Sequence, residues 1–496
     1  MEKRRRITMV ITTAKRDTVE GLKNNKTLKY ARISIQDIIK KDCRMEASVY
    51  GIEGKQARKK LMEGIYPIVG LCGDNGLAEA YHRPRFKRIY VEKSDLPFYQ
   101  PSQASEIYPK PSSYISHLTQ TDINALRVKK GQVLLTASGT VGNCAYVSNT
   151  LNNLIFSHDI IRIEAGEIAG YIYAYLKTKT GRTIINTNGY GAVVEHIEPK
   201  HLNNVPVSNP PSELKRRVHK LIEKAFNQID ESNKLIDEAQ ALLKEEFHLP
   251  DIEQIQKRTP KFDKNANFLN YSIQLRRMDN RFDGSYHLPT YKKIENHLRK
   301  HAKEVIDVGD KRISKSVILP GRFKRVYVTE ESGGVKFIGG KQILDLDPNN
   351  KKFLSLSHHA DRIKNQLTLS ENMTLITCSG TIGKVTIVPE HWNEWTANQH
   401  IIRVVPANGN IAGYLYAWLS SVYAYPLIKR YTYGAVVDEI DDKQVSKITV
   451  PLCQNEDTQN EINLLVMRAN KMRYQSYVLE QKAVSIVNDE VINTKR

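Results

Sequence analysis

The chain has 496 residues, with 74 Lys or Arg against 54 Asp or Glu, a formal net charge of +20. That length exceeds what one hydrophobic core supports and asks for at least two domains. The surplus of positive charge favours a polyanionic partner, nucleic acid first. No apolar run approaches the roughly 20 residues of a membrane span. Met1-Glu-Lys-Arg-Arg-Arg-Ile has a charged start without the apolar core or cleavage site of a signal peptide. Cys43, Cys72, Cys144, Cys378 and Cys453 are scattered without CxxC spacing. This argues for reduced thiols in a cytoplasmic protein, with neither a disulfide framework nor a zinc site.

In chain order, residues 1–30 form a basic extension, either a phosphate-touching arm or a solvated terminus. Residues 31–211 alternate short strands and helices. Within them Leu134-Leu-Thr-Ala-Ser-Gly-Thr-Val-Gly-Asn-Cys-Ala-Tyr-Val147 reads as a strand, a tight Ser-Gly-Thr-x-Gly turn and a second strand. It returns 241 residues later as Leu375-Ile-Thr-Cys-Ser-Gly-Thr-Ile-Gly-Lys-Val-Thr-Ile-Val388. Phe86-Lys-Arg-Ile-Tyr-Val91, which looks like a strand, returns as Phe323-Lys-Arg-Val-Tyr-Val328. Gly170-Tyr-Ile-Tyr-Ala-Tyr-Leu176, which looks helical, returns as Gly413-Tyr-Leu-Tyr-Ala-Trp-Leu419. Tyr190-Gly-Ala-Val-Val-Glu-His-Ile197 pairs with Tyr433-Gly-Ala-Val-Val-Asp-Glu-Ile440, and Ile160-Ile-Arg162 with Ile401-Ile-Arg403. The order is the same throughout, so the chain is one domain duplicated in tandem.

After Pro210-Pro211, Ser212 is a candidate N-cap for a helix spanning 212–247. At about 1.5 Å per residue it reaches roughly 50 Å. Steps of four and three mark a coiled-coil seam at Leu214, Val218, Leu221, Ala225, Gln228, Ser232, Leu235, Ala239 and Leu242. His248-Leu249-Pro250 ends it, and a linker over 248–267 leads to the second copy, 268–453. A second long helix over 454–490 has its seam at Ile462, Leu465, Ala469, Met472, Ser476, Leu479, Ala483 and Ile486. Helices following two copies related by a pseudo-two-fold axis are expected to pair antiparallel. The fold class is therefore α/β (α+β), two tandem domains and two long antiparallel coiled-coil spacer helices.

This ordered architecture resembles the specificity subunit of type I restriction–modification systems, over residues 31 to 490. The two Ser-Gly-Thr-x-Gly hairpins, Gly413-Tyr-Leu-Tyr-Ala-Trp-Leu419 with Tyr433-Gly-Ala-Val-Val-Asp438, and Val205-Pro-Val-Ser-Asn-Pro-Pro211 carry the likeness. The lead into each helix, Pro210-Pro-Ser-Glu-Leu-Lys215 and Pro451-Leu-Cys-Gln-Asn-Glu456, matches only loosely. The resemblance implies two target-recognition domains, each reading one half of a split, asymmetric site on double-stranded DNA, with the helices setting the gap. It implies a subunit without catalysis or cofactor of its own. Its implied partners are two adenine-N6 methyltransferase subunits and, in the full complex, restriction/translocase subunits, which would use S-adenosylmethionine, ATP and Mg2+. A related methyltransferase–nuclease or phage-defence system is an alternative setting.

Cations on phosphates give affinity and side chains on base edges give specificity. Candidate contacts are Arg83, Arg85, Lys87 and Arg88 in the first copy and Arg322, Lys324 and Arg325 in the second. Strand alternation keeps them from all facing one way. Gln100, Ser102 and Gln103 align with the Gly339-Gly-Lys341-Gln342 turn and suit base-edge readout. Ser138, Thr140, Ser379, Thr381 and Lys384 offer turn hydroxyls and an ammonium to phosphate, although turn chemistry alone explains the hydroxyls equally. The stretches 92–128 and 329–370 differ most between copies, where sequence readout is expected.

No catalytic or metal-binding constellation stands. Ser208-Asn-Pro-Pro-Ser212 resembles the Asn-Pro-Pro-aromatic motif of adenine methyltransferases but has Ser212 where an aromatic must stack the flipped base. Gly380-Thr-Ile-Gly-Lys384 lacks phosphate-loop spacing. A duplicated protein-binding scaffold with incidental charge would show the same seams and repeats.

Overall fold

A computed structural model describes residues 33–39, 43, 45, 47–139, 141–189, 196–256, 271–349, 351–434 and 436–495. The basic extension 1–30, Thr140, the stretch Tyr190–Glu195 and most of the 248–267 linker lie outside those residues. The chain divides into two compact units. The first gathers Met1–Ser105, Pro109–Asn227 and Val478–Arg496; the second gathers Glu106–Tyr108 and Gln228–Tyr477. Each long helix thus contributes residues to both.

The first unit is built on three small sheets, antiparallel but for one pair. Its strands are β1 (Ile68–Gly70), β2 (Glu79–Tyr81), β3 (Tyr90–Val91), β4 (Pro97–Tyr99), β5 (Ser113–Ile115), β6 (Val133–Thr136), β7 (Cys144–Tyr146), β8 (Ile155–Phe156), β9 (Ile160–Glu164) and β10 (Pro206–Ser208). They form a four-stranded sheet β2-β9-β6-β7, a second sheet β3-β5-β4-β8 and a two-stranded pair β1-β10. All four residues of β6 are buried. A strand covered on both faces reads as a continuous apolar run, which is why Val133-Leu-Leu carries no alternation.

The second unit repeats the plan. Strands β11 (Glu304–Asp307), β12 (Ser314–Ile318), β13 (Gly334–Ile338), β14 (Lys352–Ser355), β15 (Thr374–Thr377), β16 (Val385–Ile387), β17 (Thr396–Ala397), β18 (Ile401–Pro406) and β19 (Thr449–Leu452) form sheets β12-β18-β15-β16, β14-β13-β17 and β11-β19. Register repeats as well as order: Leu134 faces Arg162 and Leu375 faces Arg403. Within this shared plan the Phe86–Ile89 stretch is irregular, and only Tyr90–Val91 is strand. In the second copy a single bridge, Tyr327 to Leu354, marks the place, so the strand expected across these segments is corrected to an extended loop.

Two buried arginines hold the inserts to the sheets. Arg162 and Arg403 are fully buried. Arg162 donates to the carbonyls of Ile160 and Leu126; Arg403 donates to those of Ile401, Asn398, Leu367 and Ala397. Burial pulls both guanidiniums below the usual arginine range.

Helices α1 (Ala169–Lys177), α2 (Ser212–Glu246), α3 (Gly409–Leu419) and α4 (Glu456–Ile486) complete the frame. Tyr171 and Tyr175 donate to the carbonyls of Ser208 and Pro206, both at 2.5 Å. Tyr414 and Trp418 do the same to Pro451 and Thr449, at 2.6 and 2.7 Å. The repeated aromatic motif therefore ties a helix to the strand that leads into each long helix. Its glycine permits the approach: a Cβ at Gly170 would stand 2.7 Å from His219 Cα, and one at Gly413 would stand 2.4 Å from the Asn463 carbonyl oxygen.

The Lys215 amide bonds the Pro211 carbonyl, so Pro211 rather than Ser212 flanks the start of α2. At its end His248 has φ +49°, and the amides of His248 and Leu249 return to Glu245 and Lys244 in a Schellman closure. The buried stripe of α2 runs Val218, Ile222, Ala225, Ile229, Ser232, Ile236, Ala239, Leu243. That of α4 runs Ile462, Val466, Ala469, Arg473, Ser476, Glu480 and Ala483, and Val487 continues it in the π-helical turn Val487–Ile492.

This corrects half of the expected seam. Val218, Ala225, Ala239, Ile462, Ala469 and Ala483 are buried in it, and Ile486 is buried beside Val487. Leu214, Leu221, Leu242, Leu465, Met472 and Leu479 are only half-buried and flank it. The alternate seam position falls one residue later than the apolar pattern suggests, because in α4 that position holds Arg473 and Glu480.

Within the second unit the helices run antiparallel. Arg473 reaches Ser232 Oγ and Asn233 Oδ1 at 3.3 and 3.2 Å, while Glu246 accepts from the amides of Gln454 and Asn455 at 2.8 and 3.2 Å. Within the first unit Arg217 forks onto both carboxylate oxygens of Glu490, at 2.5 and 3.2 Å.

Candidate nucleic-acid interface

The Ser-Gly-Thr turn is the same device in both units. Gly139, Gly142, Gly380 and Gly383 have φ of +77°, +87°, +70° and +88°, a region that disfavours a side chain. A threonine on the incoming strand locks the hairpin: Thr136 Oγ1 accepts from the Asn143 amide at 3.1 Å, and Thr377 Oγ1 accepts from the Lys384 amide at 3.0 Å. A second segment lies beside each turn, with Ser138 bridged to His196 and Ser379 to Glu439. In the second unit this segment exposes Tyr433, Val436 and Val437.

Alternation along the Phe-Lys-Arg segments sorts the candidate cations. Arg85 and Lys87 are exposed, as are Arg322 and Lys324. The others turn inward. Arg83 donates to the Ala125 carbonyl at 2.7 Å. Arg88 reaches Ser157 Oγ at 3.0 Å and Asp159 at 3.4 Å, and its repeat-mate Arg325 reaches Gln399 Oε1 at 2.6 Å. These three fasten the segment to the sheet, so the outward pairs are the ones placed to meet phosphate. Arg322 also pairs with Glu439 at 3.0 Å.

The glutamines are corrected. Gln103 is buried; its Oε1 accepts from the Gln100 amide at 3.0 Å and its Nε2 donates to the Lys110 carbonyl. Gln342 repeats this with the Gly339 amide at 3.0 Å and the Asn349 carbonyl at 3.1 Å. Each amide staples its own loop, which ties its oxygen and its nitrogen to the backbone rather than leaving the side chain extended toward a base edge. Gln100 is half-buried, while Ser102 and Lys341 remain exposed on those loops. Ser138 is half-buried and Thr381 exposed. Lys384 points its ammonium at Glu106, 3.2 Å away.

Residues absent from the sequence-based candidates stand nearest the second turn. Ser379 Oγ lies 2.6 Å from His400 Nδ1, whose neighbour Gln399 receives Arg325. Burial, with Arg325 and Arg322 adding to it and Glu439 opposing, holds the His400 imidazole below its usual range. The position of His400 in the first unit is Asp159, and that of Glu439 is His196. Only a comparison of the two copies at these positions draws attention to them.

The family model for the type I restriction modification DNA specificity domain matches residues 76–244 and 304–463, one block on each repeat. Among solved structures, the chain is similar to a type I restriction-modification system S subunit from M. genitalium, at 12% identity and TM-score 0.28 over 86% of this chain and 98% of that one. It is similar to the HsdS subunit from Thermoanaerobacter tengcongensis at 14% and 0.26, over 83% and 94% of the two chains. A chain from a type I R-M system, solved for its complex assembly and conformational transition, stands at 15% and 0.25, over 85% and 97%. No curated protein sequence matches. With both repeats matched, over more than half its length, the chain belongs to the type I restriction–modification DNA specificity family and is a DNA-specificity subunit.

Proposed function

We propose that each repeat reads one half of a split, asymmetric DNA sequence and that the paired helices set the distance between halves. The observation that carries this reading is a common frame bearing different inserts. Strand register, the Arg162 and Arg403 anchors and the hairpin locks repeat, whereas 92–128 and 329–370 are the stretches that differ most. The second insert carries a helix, Leu356–Arg362, continued by a further turn over Ile363–Leu367; the first has a 3-10 turn at Pro101–Ser105 and the short helix Ile123–Leu126. A conserved frame with diverged inserts suits two readers of different half-sites. The outward cations Arg85, Lys87, Arg322 and Lys324 suit sequence-independent phosphate contact.

In this reading the chain performs no catalysis. It docks two adenine-N6 methyltransferase subunits and, in the full complex, restriction/translocase subunits, which bring S-adenosylmethionine, ATP and Mg2+. The complex works in the cytoplasm; among the described residues no helix is long and apolar enough to cross a membrane. Exchanging 92–128 for the matching stretch of another such subunit tests it. The methylated motif should change in one half only, and change in both halves would refute independent reading.

A further inference from the structure

The two turns exchange charge at two positions: Asp159 and His196 in the first stand where His400 and Glu439 stand in the second. In the second unit Ser379 Oγ is 2.6 Å from His400 Nδ1, and His400 Nε2 is 3.2 Å from the Gln399 amide nitrogen. The charged groups around this imidazole are Arg325 and Arg322 from the extended segment and Glu439 from the segment bridged to the turn. Arg322 is 78% exposed in its side chain and faces solvent beside the turn.

In the first unit the place of His400 is taken by Asp159. Its carboxylate accepts from Ser157 Oγ at 3.2 Å, from Arg88 at 3.4 Å, and lies 3.3 Å from His158 Nε2. An anion approaching the first turn meets a fixed carboxylate already paired with the local arginine. An anion approaching the second also meets a carboxylate, Glu439, paired with Arg322, but beside it stands an imidazole bonded to the turn serine that a proton converts into a cation.

We infer that Ser379, His400 and Arg322 form a seat for one DNA backbone phosphodiester on the second repeat, that filling it is linked to proton uptake by His400, and that the first repeat has no equivalent. The inference rests on the DNA-reading role proposed above and adds a ligand atom and a pH dependence to one of the two readers.

The linkage has a definite sign. Burial and two arginines favour neutral His400 in the free protein. A phosphodiester beside it favours the imidazolium, so binding takes up a proton and affinity rises as pH falls. One linked proton changes affinity by at most about tenfold per pH unit. A Ser–His pair also raises the question of nucleophilic catalysis. Glu439, the acid nearest this pair, is spent on Arg322, and the second imidazole nitrogen faces the Gln399 amide, so no acid orients the base.

The test uses the full chain and a fluorescein-labelled duplex of about 30 base pairs of mixed sequence, with anisotropy read from pH 8 to pH 6 at constant ionic strength. The wild type should tighten several-fold over that range. His400→Gln should flatten the dependence, and His301→Gln, at the end of the Pro289–His301 helix and outside the inserts and turns, should keep it. Arg322→Ala, on an exposed side chain that folding does not need, should lower the slope of log K on log salt by about 0.9.

An equal pH slope in wild type and His400→Gln, or an unchanged salt slope in Arg322→Ala, would overturn the seat while leaving DNA reading intact. Displacement of the duplex by millimolar inorganic phosphate at the same ionic strength would assign the seat to a free anion, and overturn it too. Failure to bind duplex at any pH would overturn both this inference and the DNA-reading role.

Discussion

The buried charge in the helix seam gives the sharpest energetic prediction. Glu480 sits where the matching position of α2 holds Ile236, and it is 5% exposed. Lys177 Nζ stands 3.0 Å from its Oε1, and the Tyr173 hydroxyl donates to it at 2.9 Å. Both side chains of the ion pair are 7% exposed, so solvent screening is small. Glu480→Leu removes the carboxylate that pairs with a buried ammonium and accepts from a buried hydroxyl, a cost of about 3–5 kcal/mol. Removing both charges as Lys177→Met with Glu480→Leu takes away the charge imbalance and costs the Tyr173 hydroxyl its bond to Glu480. The double variant should therefore lie within about 1–3 kcal/mol of wild type, recovering most of the loss.

Tryptophan fluorescence is blind here, because Trp392, Trp395 and Trp418 all belong to the second unit. Hydrogen exchange in peptides covering 169–177 and 478–490 reports the first unit directly. The single variant should lose about a hundredfold or more in protection, and the double variant should regain most of it. Protection within threefold of wild type in Glu480→Leu would refute the reasoning, as would a double variant worse than the single.

Other consequences are simpler to read. Gly413→Ala places a methyl 2.4 Å from the Asn463 carbonyl oxygen and should cost about 1–3 kcal/mol in urea unfolding followed by tryptophan fluorescence. Ile222→Ala should cost about 2–5 kcal/mol by exchange, and Leu221→Ala clearly less, because Ile222 is fully buried and Leu221 only half-buried; the reverse order would restore the apolar-pattern seam. Arg403→Met removes the guanidinium's bonds to four carbonyls, three of them buried, and should cost at least about 3 kcal/mol in the same urea assay, with no change at the first unit.

The duplication was readable because the residues that carry it are constrained by backbone geometry and by tertiary ties. Glycines in left-handed turns, a glycine under a crossing helix and tyrosines bonded to carbonyls tolerate few substitutes, so the two copies stay recognisable. The seam was half readable. Leu221-Ile222, Leu235-Ile236 and Leu242-Leu243 are apolar doublets that allow two phases, and in α4 the true phase is occupied by Arg473 and Glu480. Polar groups satisfied by Ser232, Asn233, Tyr173 and Lys177 are invisible to a pattern that counts apolar residues.

The interface was legible only as a region. Alternation separates Arg85 and Lys87 from Arg88, but not Arg83, which turns inward two residues before the exposed Arg85. That Gln103 and Gln342 staple their loops depends on where Lys110 and Asn349 return, which no spacing reveals. His400 was hidden for a similar reason: its proximity to Ser379 comes from the pairing of β15 with β18.

The central claim, that this chain chooses the DNA sequence for partner enzymes, is tested most directly by mapping adenine methylation. DNA from cells carrying this gene and its neighbours should be compared with DNA from cells lacking this gene alone. Loss of methylation at one split, asymmetric motif is the expected result. An unchanged methylation pattern would contradict the claim.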